Sequence, residues 1–295
     1  MQVAIIDIGS NTARLLVADV QPDGQVVELA QDGVHLALGD ELAAGNGLTA
    51  AKVEEVVAAV RRFAHAARDH DVERFEAILT APGRGPGGAA LARAVGSAAG
   101  WPARVLSAND EGRLAYDGAV SRADSLPEVV GVVDVGGGSS EIVVGTPLLG
   151  GAWVRSLTTG SLHLTRLFLR TDPPTAAALR NARDVVRQAL VGVEPPRPDV
   201  VLAAGGSARA VAKVIGKVFG PDDVDEVLRI TARRPSREVA AAFGIRPARA
   251  RTLAAGAIVL GETSRLFEQP FTLARGGLRE GAALMLAAAA EAAAA

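Results

Sequence analysis

The sequence contains no cysteine, and aromatic residues make up only 3% of its 295 positions. Without cysteine the chain has no disulfide bond, iron–sulfur cluster, thiolate zinc site or cysteine nucleophile. An excess of one charge is also missing, because 31 basic residues face 33 acidic ones and the formal net charge is −2. We therefore expect no general attraction to nucleic acid or to an anionic membrane, so a polyanionic ligand must be bound by a local site.

Segments that would direct the chain out of the cytoplasm or anchor it in a membrane are also missing. The first residues, MQVAIIDIG, lack the basic region and the small-residue cleavage site of a secretory signal. The C-terminal run LAAAAEAAAA is too short and too rich in alanine to cross a bilayer. These features predict a cytoplasmic protein without a membrane partner.

The remaining composition is that of a globular protein with two domains. Hydrophobic residues make up 49% and charged residues 22% of a chain about twice the length of a typical domain. Strand and helix patterns alternate along it, which predicts the α/β class. We predict a first lobe at residues 1–124 and a second at 125–295, with a linker near 122–128. The pattern leaves open whether the final helix packs back on the first lobe.

One motif occurs twice, once in each predicted lobe. Asp7-Ile-Gly-Ser-Asn-Thr12 and Asp134-Val-Gly-Gly-Gly-Ser139 each follow one aliphatic run and precede another. Both predict a strand, a glycine turn with hydroxyl residues, and a second strand. Duplicated lobes that each carry such a turn imply a cleft in which the two turns face one ligand.

The two turns have the composition of phosphate-binding loops. Glycine lets backbone N–H groups approach an anion closely, and successive amides in a tight turn form a nest for phosphate oxygens. The aspartate at each turn entrance would repel phosphate, so we expect Asp7 and Asp134 to hold Mg²⁺, which phosphate oxygens also bind. The alternative is that both aspartates only accept hydrogen bonds from the turn backbone. The predicted phosphate-binding residues of the turns are Gly9, Ser10, Asn11, Thr12, Gly136, Gly137, Gly138, Ser139 and Ser140.

A third glycine break, Ala203-Ala-Gly-Gly-Ser-Ala-Arg209, joins a predicted strand to a predicted helix. An open helix N-terminus attracts anions, so Gly205, Gly206 and Ser207 are further candidates for phosphate binding. An ordinary strand-to-helix turn explains the same residues equally well.

Six motifs occur along the chain in a distinctive order: DIGSNTARLL, DEGRL, DVGGGSSEIV, SLTTGSLHLT, AGGSARAVAK and GGLREG. This order resembles the exopolyphosphatase/guanosine pentaphosphate phosphohydrolase (Ppx/GppA) family over residues 2–283. That family belongs with actin, Hsp70 and the acetate and sugar kinases. The resemblance therefore implies two actin-like, ribonuclease H-like lobes with a cleft between them, in the short form without further helical domains.

The resemblance also implies roles for individual residues. The family's water-activating glutamate matches Glu111, and its two aspartates associated with magnesium and the lytic water match Asp7 and Asp134. The acidic residue that closes the second phosphate loop matches Glu141, a further expected metal ligand. The phosphate-gripping arginine matches Arg84, although Thr80-Ala-Pro-Gly-Arg84 departs from the family's Thr-Ser-Ala-x-Arg pattern.

These roles imply an exopolyphosphatase that removes terminal phosphate from inorganic polyphosphate with the help of Mg²⁺. The nearest alternative keeps the site and hydrolyses the 5′-phosphate of guanosine pentaphosphate (pppGpp). Functions of another class are an ATP-dependent sugar or acid kinase, or a non-catalytic, nucleotide-gated actin-like module. The glutamate of DEGRL favours attack by water. The sequence leaves the oligomeric state open, and a homodimer is one possibility.

Three other patterns have competing interpretations. Gly83-Arg-Gly-Pro-Gly-Gly88 matches the dinucleotide-binding pattern G-x-G-x-x-G, but Pro86 stands where the turn should present amides. His70-Asp71 lacks the further histidines of a metal-dependent HD phosphohydrolase. A group of arginines predicts either a solvated helix face or a track for a long polyphosphate. Its members are Arg233, Arg234, Arg237, Arg246, Arg249 and Arg251.

Overall fold

A computed structural model of the chain shows two compact units. It describes residues 1–42, 45 and 47–294, and the other four positions lie outside the described residues. Unit 1 comprises Met1–Arg122 and Gly276–Ala295, and unit 2 comprises Ala123–Arg275. The final segment, whose position the sequence left open, thus belongs to unit 1. Within the described ranges, every helix is too short or too polar to cross a membrane.

Unit 1 is built on a five-stranded sheet. Its strands are β1 (Gln2–Ile8), β2 (Thr12–Val20), β3 (Val26–His35), β4 (Arg74–Leu79) and β5 (Ala103–Val105). The helices that connect them are α1 (Leu38–Leu42), α2 (Ala50–Arg68), α3 (Ala81–Arg84), α4 (Gly88–Ala99) and α5 (Ala108–Val120). The order is β3-β2-β1-β4-β5, in which β1, β2 and β3 form an antiparallel meander and β4 and β5 run parallel to β1.

Unit 2 repeats this topology in a second sheet. Its strands are β6 (Val130–Val135), β7 (Ser140–Thr146), β8 (Gly150–Leu157), β9 (Val200–Ala204), β10 (Val218–Phe219) and β11 (Phe271–Leu273). Its helices are α6 (Ser161–Leu167), α7 (Ala176–Leu190), α8 (Gly205–Ile215), α9 (Pro221–Arg233), α10 (Ser236–Phe243), α11 (Pro247–Arg251) and α12 (Leu253–Phe267). In the order β10-β11-β9-β6-β7-β8, the strands β6, β7 and β8 form an antiparallel meander, β9 and β11 run parallel to β6, and β10 pairs antiparallel with β11. The duplication expected from the two motifs is confirmed.

Strand β1 is apolar along most of its length because helices cover both faces of the sheet. Val3 and Ile5 pack in a cluster with alanines of the last helix and with Leu114 of α5, while Ala4 and Ile6 pack with α2 and α4 on the opposite face. Side chains alternate between faces along a strand. Asp7, two residues after Ile5, therefore lies near the end of β1 on the same face as Val3 and Ile5.

The last helix, α13 (Leu278–Ala294), packs backbone to backbone against α5. A Cβ atom at Gly118 would lie 1.9 Å from the carbonyl oxygen of Gly277, and one at Gly281 would lie 1.9 Å from that of Leu114. Only glycine permits such an approach. Helix α13 thereby supports the helix that carries Glu111.

Candidate functional site

The two predicted glycine turns have the same backbone geometry. In unit 1 the N–H of Gly9 donates to the carbonyl of Thr12 at 3.0 Å. In unit 2 the N–H of Gly136 donates to the carbonyl of Ser139 at 3.0 Å. Because these two amides already have acceptors, Gly9 and Gly136 shape the turns and leave ligand binding to their neighbours.

In unit 1 the carbonyl groups of Ser10 and Asn11 accept hydrogen bonds from the segment that follows β3. The N–H of Gly39 donates to the carbonyl of Ser10 at 2.8 Å, and those of Leu36 and Ala37 donate to the carbonyl of Asn11 at 3.0 and 3.1 Å. In a trans peptide, the N–H of one residue points away from the preceding carbonyl. Among the described residues, the amides of Ser10 and Asn11 have no acceptor. This turn therefore offers two free N–H groups to an anion.

The turn of unit 2 is held in the same way by the first turn of α6. The carbonyl of Gly136 accepts from the N–H of Ser161 at 2.9 Å, and that of Gly137 accepts from the N–H of Leu162 at 2.9 Å. The amides of Gly137 and Gly138 have no acceptor in the part of the chain that the structure describes. Both units thus carry a turn whose carbonyls are bonded and whose central amides are available.

Three buried side-chain atoms without a hydrogen bond belong to the motifs at these turns. They are Oδ1 of Asn11, Oγ1 of Thr159 and Oγ of Ser207. A buried polar atom without a partner costs about 1–3 kcal/mol, which marks a place for an ion, water or ligand. Asn11 and Ser207 are predicted site residues, whereas Thr159, from the SLTTG motif, is an addition that the sequence interpretation missed.

The predicted hydroxyl donors differ in their availability. Ser140 is fully buried and donates its hydroxyl to the carbonyl of Thr159 at 2.9 Å, so it holds two segments of unit 2 together. Ser10 and Ser139 lie within the turns and are each 9% exposed. Thr12, at the start of β2, is half-buried. The hydroxyls of Ser10, Thr12 and Ser139 stay candidates for phosphate binding, while that of Ser140 is already used.

Arg84 and Glu111, the two predicted catalytic residues, form an ion pair within unit 1. Nη1 of Arg84 lies 2.8 Å from Oε2 of Glu111 and also donates to the carbonyl of Leu106 at 3.0 Å. Glu111 lies in the first turn of α5, which Ser107 caps by accepting from the N–H of Asp110. The other guanidinium N–H groups of Arg84 donate to none of the described residues. They are available to a phosphoryl oxygen.

The glycine-rich segment around Arg84 has a structural role. The N–H of Gly83 donates to the carbonyl of Thr80 at 2.9 Å, and the N–H of Gly88 donates to that of Gly85 at 3.0 Å. These amides are therefore unavailable to a dinucleotide pyrophosphate, which agrees with the objection raised by Pro86. The segment departs from the family pattern, yet its helical turn α3 places Arg84 on Glu111.

The predicted acidic residues of unit 2 are neighbours across two strands. Asp134 on β6 is paired with Glu141 on β7. Glu141 is almost fully buried and accepts from the hydroxyl of Ser156 at 2.9 Å. Asp134 lies against the start of α8, since a Cβ atom at Gly205 would be 2.1 Å from its Oδ1. The negative charge at this helix N-terminus is thus supplied by Asp134 itself.

Arg249 belongs to the arginine group that the sequence analysis named, but the sequence did not single it out within that group. A Cβ atom at Gly206 would lie 2.6 Å from its Nη2, so its guanidinium lies directly on the backbone of α8. Burial lowers the pKa of Arg249, and the charge of Arg209 lowers it further, while Asp134 opposes both effects. Arg249 donates no hydrogen bond to any described residue, so a partly buried cation lacks an acceptor.

The neighbours of Arg249 in sequence do not share this environment. Arg251 donates to the carbonyls of Leu169 and Arg170 and so has a structural role. Arg233, Arg234 and Arg246 lie at the surface or are half-buried on other helix ends. Nothing in the sequence distinguished Arg249 from the other arginines of this group, because the distinction depends on its contact with Gly206.

The acidic residues fit Mg²⁺ only together with a ligand that completes the coordination. Among the described residues, no three histidine, aspartate or glutamate side chains lie close enough to hold a metal ion alone. Magnesium commonly binds one or two carboxylates, with water and phosphate oxygens as the remaining ligands. Asp134 is half-buried and suits this arrangement, whereas one oxygen of Glu141 is bonded to Ser156.

Three comparisons relate the chain to known proteins. Residues 16–289 match the model of the Ppx/GppA phosphatase family. The chain is 28% identical to exopolyphosphatase 2 of Mycobacterium tuberculosis over 317 aligned residues, covering 97% of this chain and 98% of the relative. The crystal structure of the Aquifex aeolicus member of the family superposes with a TM-score of 0.83 at 27% identity, over 98% of both chains. An exopolyphosphatase from Cytophaga hutchinsonii, 19% identical over 98% of both chains, shares the fold with a TM-score of 0.86.

Proposed function

Because this chain belongs to the Ppx/GppA phosphatase family, and is thus a phosphoanhydride hydrolase, we propose that it releases terminal phosphate from inorganic polyphosphate. The observation that carries the proposal is the pair of turns with bonded carbonyls and free central amides, one in each unit. Such turns bind phosphate oxygens irrespective of what the phosphates are attached to. A substrate made only of linked phosphates uses donors of this kind along its length.

Arg84 and Glu111 supply the groups that the reaction needs. In this proposal the free N–H groups of Arg84 bind the terminal phosphoryl group and neutralise charge that develops on it. Glu111 accepts a proton from a water molecule as the water oxygen bonds to the terminal phosphorus. The bridging P–O bond breaks, orthophosphate leaves, and the shortened polyphosphate keeps the bridging oxygen.

Arg249 extends the same chemistry into unit 2. Its guanidinium is partly buried and lacks an acceptor among the described residues, so an anionic ligand would relieve the cost of burying it. We assign it to binding of a substrate phosphate beside Gly206 and Ser207. The predicted phosphate-binding residues of α8 would then act together with a cation rather than by backbone alone.

Mg²⁺ is the proposed cofactor; Asp7 in unit 1 and Asp134 in unit 2 are each a proposed carboxylate ligand, and Glu141 is a second acidic residue beside Asp134. When bound, the ion would neutralise phosphate charge and so favour attack by water. The proposed location is the cytoplasm, and a homodimer remains a prediction of the sequence alone.

The substrate is tested by measuring orthophosphate release from polyphosphate, pppGpp and ATP, each with Mg²⁺ and with excess chelator. We expect fastest release from polyphosphate and loss of release on chelation. Faster release from pppGpp would replace the substrate with the guanosine nucleotide. Turnover of ATP equal to that of polyphosphate would contradict the proposal and favour the kinase or nucleotide-gated class.

The role of Glu111 is tested with Glu111→Gln, which keeps the shape of the side chain and removes its basicity. We expect turnover to fall by about 10²–10⁴-fold, the usual contribution of a general base, while polyphosphate still binds. Asp110→Asn is the matched control, because Asp110 is also acidic and lies in the first turn of α5. Retention of near-parental turnover by Glu111→Gln would show that another group orients the water.

A further inference from the structure

A cavity lies in unit 1, at the end of the sheet opposite to the glycine turn. Its volume is about 400 Å³, within the range of small-molecule sites, and it is lined by the last turn of α2, the start of β4 and Trp101. Strand β4 begins in this cavity at Arg74 and ends at Leu79, and the next residue, Thr80, lies beside the turn of Gly9. About 20 Å of extended chain separates the two positions.

The cavity has an aromatic wall that is open to solvent. The rings of Phe75 and Trp101 are stacked, with centroids 4.8 Å apart and an angle of 22° between the planes. Trp101 lines the cavity and remains 46% exposed. It is one of only two tryptophans in the chain. An indole that is covered by one ring and otherwise exposed is a platform on which a further planar ring can stack.

Beside this wall are polar side chains that the fold does not use. Arg68, at the end of α2, and Asp71, which follows it in the connection to β4, both line the cavity. Within the described ranges neither side chain makes a hydrogen bond or ion pair. The cavity thus offers a fork of N–H donors and a carboxylate acceptor next to a stacking surface. His70 and Asp71, the pair that lacks the further histidines of an HD phosphohydrolase, both line this cavity.

We propose that this cavity binds the base of a purine nucleoside. A purine presents a large planar face for Trp101, the ring nitrogen N7 as an acceptor for Arg68, and N–H donors for the carboxylate of Asp71. A pyrimidine has a smaller face to stack. The site is independent of the proposed hydrolysis, because a nucleoside carries no phosphate for the glycine turns to bind.

The test uses the fluorescence of Trp101. Trp153→Phe removes the only other tryptophan, so Trp101 becomes the single reporter. We expect guanosine or adenosine to quench its emission along a saturable curve below about 1 mM, and cytidine to quench it at least about tenfold more weakly. Absence of saturable quenching by both purines, or equal affinity for cytidine and the purines, would overturn the proposal.

Two variants separate this site from non-specific stacking. In the Trp153→Phe background, Arg68→Ala should weaken purine binding by about tenfold, since a hydrogen bond from a charged donor is lost. Arg61→Ala is the matched control on the same helix, because Arg61 is exposed and lies outside the cavity lining. Calorimetry with Trp101→Leu should show no binding in this range. Unchanged affinity in Arg68→Ala, or an equal loss in Arg61→Ala, counts against the proposed site.

Discussion

Gly205→Ala tests whether the position of Asp134 matters for the proposed chemistry. Gly205 has a positive φ of +81°, and an added Cβ atom would lie 2.1 Å from Oδ1 of Asp134. Ordinary contact between such atoms begins at 3.4 Å, so the carboxylate must retreat by about 1 Å or more. Gly192→Ala is the matched control, since Gly192 has a similar φ of +72° with nothing within 4 Å of the added Cβ.

The two variants should therefore lose the same amount of folding stability but differ in their rate of phosphate release. A non-glycine residue in the left-handed region costs about 1–2 kcal/mol, which both Gly205→Ala and Gly192→Ala should lose from the free energy of unfolding. A displacement of about 1 Å at a reacting centre lowers the rate by about 10²-fold. We expect that loss of phosphate release only in Gly205→Ala, because only there is Asp134 displaced.

The assay combines urea unfolding with initial rates of phosphate release from polyphosphate. Unfolding shows that both proteins are folded under the conditions of the rate measurement and gives the shared cost. If Gly205→Ala is folded and its rate lies within about threefold of that of Gly192→Ala, the barrier has changed by less than 1 kcal/mol. The placement of Asp134 against α8 would then be irrelevant to catalysis, and the reasoning from this contact fails.

Three further predictions concern charged groups whose surroundings only the structure reveals. Glu262 is 5% exposed and contacts three arginines at 2.8–3.1 Å, so Glu262→Gln should lower the free energy of unfolding by about 2–3 kcal/mol. The control Asp184→Asn, at an exposed ion pair, should change that free energy by less than about 0.5 kcal/mol. Equal urea midpoints for the two variants would contradict this prediction. Arg249→Ala should raise the KM for polyphosphate about tenfold or more without loss of thermal stability, and a destabilised variant with unchanged KM would exclude the proposed role. Burial raises the pKa of Asp117, so the folded state loses stability as pH rises through that pKa. Asp117→Asn should therefore stabilise the protein more at pH 7 than near pH 4. A larger increase in the Tm at pH 4 than at pH 7 would refute this.

Much of the site's local chemistry was predictable from the sequence because it depends on neighbours in the chain. The sequence pattern predicts a glycine turn between two strands at Gly9 and again at Gly136, because the backbone geometry of a turn is set by a few adjacent residues. The match to the Ppx/GppA family confirms the resemblance that the six ordered motifs indicated. The α/β class and the duplicated lobes were predictable for the same reason, from alternation and repetition along the chain.

Other features depended on contacts between distant parts of the chain. The sequence suggested free amides throughout both turns, but those of Gly9 and Gly136 donate within the turns, and the carbonyls face donors from other segments. The hydroxyl of Ser140 donates to the carbonyl of Thr159, which lies 19 residues further along the chain in a different motif. Hydrogen-bond partners of this kind are set by packing and leave no periodic signal in the sequence.

The sequence by itself determined which residues form the two glycine turns, because glycine turns and strand patterns are local properties. Only the tertiary structure decided that Arg84 reaches Glu111, that Arg249 rather than Arg251 lies on the glycine break, and that the last helix supports α5. The physical reason is that these three results depend on the approach of backbones and guanidinium groups that are tens to hundreds of residues apart. That approach is set by how the helices pack on each sheet.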